Sequence, residues 1–90
     1  MSESLHTAEY KIFLRVLKSA RKKSGITQVQ LAEKLKQTQS YVSKFERGEL
    51  RLDIVQIRNV CIALGIEPLH FIEDFEAAVF RDSKKPRRSS

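Results

Sequence analysis

Apolar residues return every three or four positions through most of this chain, and each run is bounded by residues that start or stop helices. Tyr10, Phe13, Leu14, Leu17 and Ala20 share one face of a first helix expected over about 8–24, with Thr7 at its cap. Lys22 and Lys23 suit the negative end of that helix dipole, Gly25 is a left-handed stop, and Ile26 folds back onto the helix. Thr27 and Gln30 have capping-box spacing and open a short second helix with Leu31, Ala32 and Leu35 inward. Thr38 caps a third, in which only Val42 and Phe45 are clearly apolar and which Gly48 ends. After a loop at 49–52, Asp53 and Gln56 repeat the capping pair and open a fourth helix with the stripe Ile54, Ile57, Val60, Cys61 and Leu64. Gly65 and Ile66 repeat the first stop. Pro68 then takes the first position of a fifth helix carrying Leu69, Phe71, Ile72, Phe75, Ala78, Val79 and Phe80. With no strand alternation and no internal repeat, the expected class is all-α with five helices.

Ninety residues, 41% of them apolar, hold one folded domain with a single core. The expected organisation is a flexible start at 1–7, a domain over 8–81 and a basic, disordered tail at 82–90. The charge of +6 is unevenly placed. Residues 11–58 carry twelve Lys or Arg against Glu33, Glu46, Glu49 and Asp53, residues 67–80 carry four acids and no Lys or Arg, and the tail is basic again. Such a division orients a molecule in the field of a polyanion, although a solvated surface has the same composition. No apolar run approaches a membrane span, the first residues lack a signal peptide's apolar segment, and one cysteine, Cys61, excludes an internal disulfide framework. A cytoplasmic location is the expectation.

Residues 27–48 are the segment with chemistry to offer. Two short helices meet at a turn of about three residues, and the second is held by one narrow seam, so Gln39, Ser40, Ser43 and Lys44 fall on its outward arc. Amide, hydroxyl and ammonium groups suit base edges and phosphates in a DNA major groove. The segment resembles the helix-turn-helix of the lambda repressor and Cro family, also called the XRE family. The resemblance covers roughly 15–71 and includes ERG at Glu46, Arg47 and Gly48 and ALGI at Ala63 to Ile66. It implies a five-helix lambda repressor-like domain with the motif at its second and third helices, and a sequence-specific regulator that binds double-stranded DNA.

The resemblance also implies roles. Gln28 meets a phosphate and braces Gln39, which reads a base; without the family, both are also good solvated starts for helices. Ser40, Ser43 and Lys44 join the base-reading set, with small neutral surface as the plain alternative for the serines and a phosphate as the alternative for Lys44. Tyr41 either donates to a phosphate or lies over the core edge. Arg47 and Arg51, with Lys23, Lys36 and Thr38 as weaker members, are backbone contacts or solvated groups. Arg21 and Glu46 are implied to form a structural ion pair. The chain departs from the family in its turn, where Lys36 replaces the usual glycine and Gln37 the usual apolar residue, and Leu50 is an apolar residue in a loop expected to be exposed.

Other chemistry finds little support. Cys61 lies on an apolar stripe, His6 and His70 lack spaced metal-ligating partners, and there is no phosphate-binding glycine loop, so neither a cofactor nor a metal nor an enzymatic activity is expected. Phe71, Phe75, Val79 and Phe80 exceed what one core-facing stripe needs and are the expected homodimer surface, the alternative being that they complete the core. A dimeric repressor on a palindromic operator is the leading expectation. An antitoxin or protein-interaction module, engaging a toxin or co-regulator through the fifth helix or the tail, is the other.

Overall fold

The computed structural model describes residues 7–84 as five helices: α1 (Ala8–Lys23), α2 (Gln28–Leu35), α3 (Gln39–Glu46), α4 (Ile54–Leu64) and α5 (Pro68–Lys84). Each of the first four begins where a short polar side chain can satisfy an orphan backbone donor. The Thr7, Thr27, Thr38 and Asp53 side chains accept from the backbone N–H groups of Tyr10, Gln30, Tyr41 and Gln56 at 2.8–3.1 Å. Gln30 and Gln56 return the bond to their cap residues, completing two capping boxes. Of the start expected to be flexible at 1–7, Thr7 is the cap of α1, while residues 1–6, with His6, and the last six residues of the expected tail lie outside the described residues.

The helices enclose one core. α2 packs on α3 and α4, while α1 packs on α5 and touches α3. Leu17, Leu31, Val42, Phe45, Val60 and Cys61 are fully buried at its centre. Burying a side chain of this kind contributes about 1.5–3 kcal/mol, so the narrow seam of α3 is held chiefly by Val42 and Phe45. Cys61 fills space as a small apolar group, and burial pushes its thiol pKa up, away from the reactive thiolate.

Four expectations change. Ile54, expected in the α4 stripe, is 69% exposed, because as the first residue of the helix it lies at the rim of the core. Ile12 is buried although it lay outside the expected face of α1. α5 runs to Lys84, so residues 82–84 are helical rather than part of a disordered tail, and the Ser83 hydroxyl donates to the Phe80 carbonyl. Phe71, expected at a dimer surface, is 2% exposed and sits edge-on to Phe13 with ring centroids 6.0 Å apart. Phe75 is half-buried against the same ring at 6.2 Å. The inward face of α5 is thus set by where α1 places an aromatic ring.

The turn of the motif carries a backbone cost. Lys36 caps α2 at φ 59° and ψ 42°, the left-handed region, where its N–H bonds to the Glu33 carbonyl and that of Gln37 to the Ala32 carbonyl. The turn therefore keeps the usual helix-stop geometry without glycine, at a penalty of about 1 kcal/mol. Lys36→Gly is expected to raise unfolding stability by about 0.5–1 kcal/mol with an unchanged helical signal, read from denaturant midpoints.

Candidate nucleic-acid interface

The motif is fixed from beneath by one buried ion pair. Arg21, near the end of α1, faces Glu46, the last residue of α3, with Nε–Oε2 at 2.6 Å and Nη2–Oε1 at 3.1 Å. Their side chains are 8% and 3% exposed. A bidentate guanidinium–carboxylate contact defines distance and plane together, so it fixes the angle of α3 against α1. The third guanidinium nitrogen is also used, since Nη1 donates to the Ile26 carbonyl at 2.8 Å, just after the glycine stop.

From this pair a chain of hydrogen bonds leads to the surface. Glu46 Oε1 accepts from Gln28 Nε2 at 2.9 Å, and Gln28 Oε1 accepts from Gln39 Nε2 at 3.3 Å. Gln28 and Gln39 are the first residues of α2 and α3, so the two helix starts come together at the side-chain level. Gln39 is exposed at the end of a series that begins in the interior. Ser40 and Lys44 are exposed on the same helix.

Arg47 has intramolecular partners. Its guanidinium makes a bidentate contact with Glu49, at 2.9 and 3.0 Å, and also donates to the Ser43 hydroxyl. The hydrogen bonds from Arg47 hold the Glu49 carboxyl below its ordinary pKa, and Arg47 is shifted up in turn. From sequence alone Arg47 and Ser43 are expected toward DNA, and Glu49 has no role. The available signal was an opposite charge two residues on, across the Gly48 turn. Arg51 lies over the Tyr10 ring with its guanidinium carbon 4.7 Å from the centroid, and the Tyr10 hydroxyl accepts from the Leu52 N–H. The α3–α4 loop is therefore tied to α1.

These features have close counterparts. A helix-turn-helix family model matches residues 17–71. An XRE-family-like protein from Pseudomonas syringae pv. tomato is 39% identical, with a TM-score of 0.76 over 83% of this chain and 92% of that one. The clp gene regulator ClgR from C. glutamicum is 25% identical, with a TM-score of 0.70 over 80% of this chain and 94% of that one. No curated protein matches. The chain belongs to the XRE family of helix-turn-helix DNA-binding regulators.

As an XRE-family regulator it is a sequence-specific DNA-binding protein and not an enzyme. No helix among the described residues is long and apolar enough to cross a membrane. The other residues expected near DNA are spread around the motif. Thr38 spends its hydroxyl oxygen on capping α3, Lys36 stands exposed in the turn, and Lys23 is exposed at the end of α1. Tyr41 is half-buried, edge-on to Phe45 at 5.4 Å, so its ring lies over the core edge. Burial first, then the charge of Asp53, holds its hydroxyl above the ordinary pKa, leaving it a neutral donor. Leu50 is exposed.

Removing one member of the ion pair strands a buried charge. Glu46→Ala is expected to cost about 3–5 kcal/mol in chemical denaturation, whereas the apolar double replacement Arg21→Met with Glu46→Leu recovers most of that loss. A Glu46→Ala protein as stable as wild type would show that the pair does not hold the motif.

Proposed function

We propose that this XRE-family regulator is a dimeric repressor that reads a palindromic operator with α3 in the major groove. Gln39 meets a base edge, Ser40 and Lys44 lie beside it, and Ser43 joins them when Arg47 releases its hydroxyl. Gln28, Lys23, Lys36, Thr38, Tyr41 and Arg51 face the phosphate backbone, and Arg47 reaches a phosphate by exchanging it for Glu49. The observation that carries the reading is the Gln28–Gln39 contact, because it presents an exposed amide from a braced position at the start of α3. Cationic residues concentrated over 11–58 supply the salt-sensitive part of the affinity.

An eight-residue recognition helix covers only a few base pairs, so two copies on half-sites about one helical turn apart give the specificity that one lacks. The α5 face fits a second copy of the chain, in amended form. With Phe71 in the core and Phe75 and Val79 half-buried, the surface passes to Leu69 (73% exposed), Ile72 and Phe80 (61% exposed).

Selection of bound duplexes from a random pool, with wild type and Gln39→Ala in parallel at physiological salt, tests the reading. A palindrome enriched by wild type and lost with Gln39→Ala is expected. No enrichment by folded wild-type protein would shift the function to a protein partner such as a toxin or co-regulator. For the interface, Phe80→Glu is expected to lower self-association at least tenfold in sedimentation while retaining full helicity, whereas Phe71→Glu unfolds the domain. A Phe80→Glu protein that sediments like wild type moves the interface elsewhere.

A further inference from the structure

We propose that Glu46 is a specificity-positioning residue: its charge fixes which way both glutamine amides point and so commits Gln39 to adenine over guanine. The inference rests on the reading of Gln39 as a contact to adenine and goes beyond it by naming the group that fixes the polarity of the contact. An ionised carboxylate only accepts hydrogen bonds, so Gln28 must turn its NH2 toward Glu46, as observed at 2.9 Å. That leaves Gln28 Oε1 facing Gln39, and an amide oxygen also only accepts. Gln39 must therefore turn its NH2 toward Gln28, as observed at 3.3 Å. Each step has one allowed orientation once Glu46 is charged, and Arg21 lies against the carboxylate at 2.6 Å.

The outward edge of Gln39 is then defined. One N–H is engaged by Gln28, leaving one donor and the Oε1 acceptor for DNA. Adenine presents the complement in the major groove, an N7 acceptor beside an N6 donor, whereas guanine presents the two acceptors N7 and O6. Against guanine, the locked amide places oxygen against oxygen. A free glutamine rotates and offers both N–H groups to guanine, so discrimination belongs to the series from Glu46 and not to Gln39 alone. Ser40 and Lys44 stand outside the series and carry no such constraint.

The test uses the full chain and an operator obtained by duplex selection, and it reads the ratio of affinities for adenine and guanine at the position whose preference depends on Gln39. A ratio within one variant is insensitive to a partly unfolded fraction, which lowers both affinities equally. Wild type is expected to favour adenine by about 5- to 150-fold, the range for one bidentate base contact, and to weaken comparably toward 7-deazaadenine, which lacks N7. Gln28→Met interrupts the series while leaving Arg21 and Glu46 paired. It is expected to bring the ratio within about threefold of unity, and Glu46→Gln, which lets both amides turn over, to do the same. Retention of the wild-type ratio by Gln28→Met and Glu46→Gln, with Gln39→Ala still abolishing it, overturns the lock and leaves the base contact standing. A Gln39-dependent preference for another base overturns the assigned polarity. If no base preference depends on Gln39, the base-reading assignment fails and the lock fails with it.

Discussion

The contact between Arg21 and Glu46 sets the terms for the rest of the motif. Taking two charges out of water is costly, and their attraction offsets that cost only when the geometry is good and the remaining donors and acceptors are used. Both conditions hold here. Two guanidinium nitrogens meet the carboxylate, a third meets the Ile26 carbonyl, and the carboxylate accepts once more from Gln28. Parts of α1, its stop, α2 and α3 thereby share one polar cluster, and among the described residues that are not exposed no buried side-chain donor or acceptor lacks a partner. An apolar pair could hold two helices together as firmly, but it could not impose a direction on the amides above it.

Much of the architecture was legible because it is written locally. Thr7, Thr27, Thr38 and Asp53 mark starts, Gly25, Gly48 and Gly65 mark stops, and a threefold-to-fourfold apolar period lies between them. Those signals act within one turn of helix and need no knowledge of neighbours. Ile12 and Phe71 were misplaced for the opposite reason, since their burial depends on which helix arrives from elsewhere in the chain. The end of α5 was placed too early because a polar, charged composition at 82–84 does not by itself forbid helix once the preceding turns are packed.

The site divides in the same way. The outward arc of α3 follows from helical spacing alone. The Arg21–Glu46 pair spans 25 residues of sequence, so only family resemblance pointed to it, and the Ile26 carbonyl as its third partner was not anticipated. Arg47 shows what charge counts leave out: a cation expected at a phosphate is paired in the free protein with the carboxylate of Glu49. In an exposed loop that contact contributes little to stability, but under the proposed reading it sets what a phosphate has to displace.

The placement of Ser40 and Lys44 has a consequence for how such a regulator can change over generations. Both side chains are exposed and separate from the polar cluster that joins the helices, so replacing them leaves the ion pair and its amides intact. Gln28 and Glu46 have no such freedom, because the same atoms join the helices and, in the proposed lock, orient Gln39. Under the proposed reading of α3, lineages derived from this chain can therefore acquire new operators by exchanging Ser40 or Lys44 in single steps. A switch at the Gln39 position instead has to pass through a less stable intermediate or change several residues together.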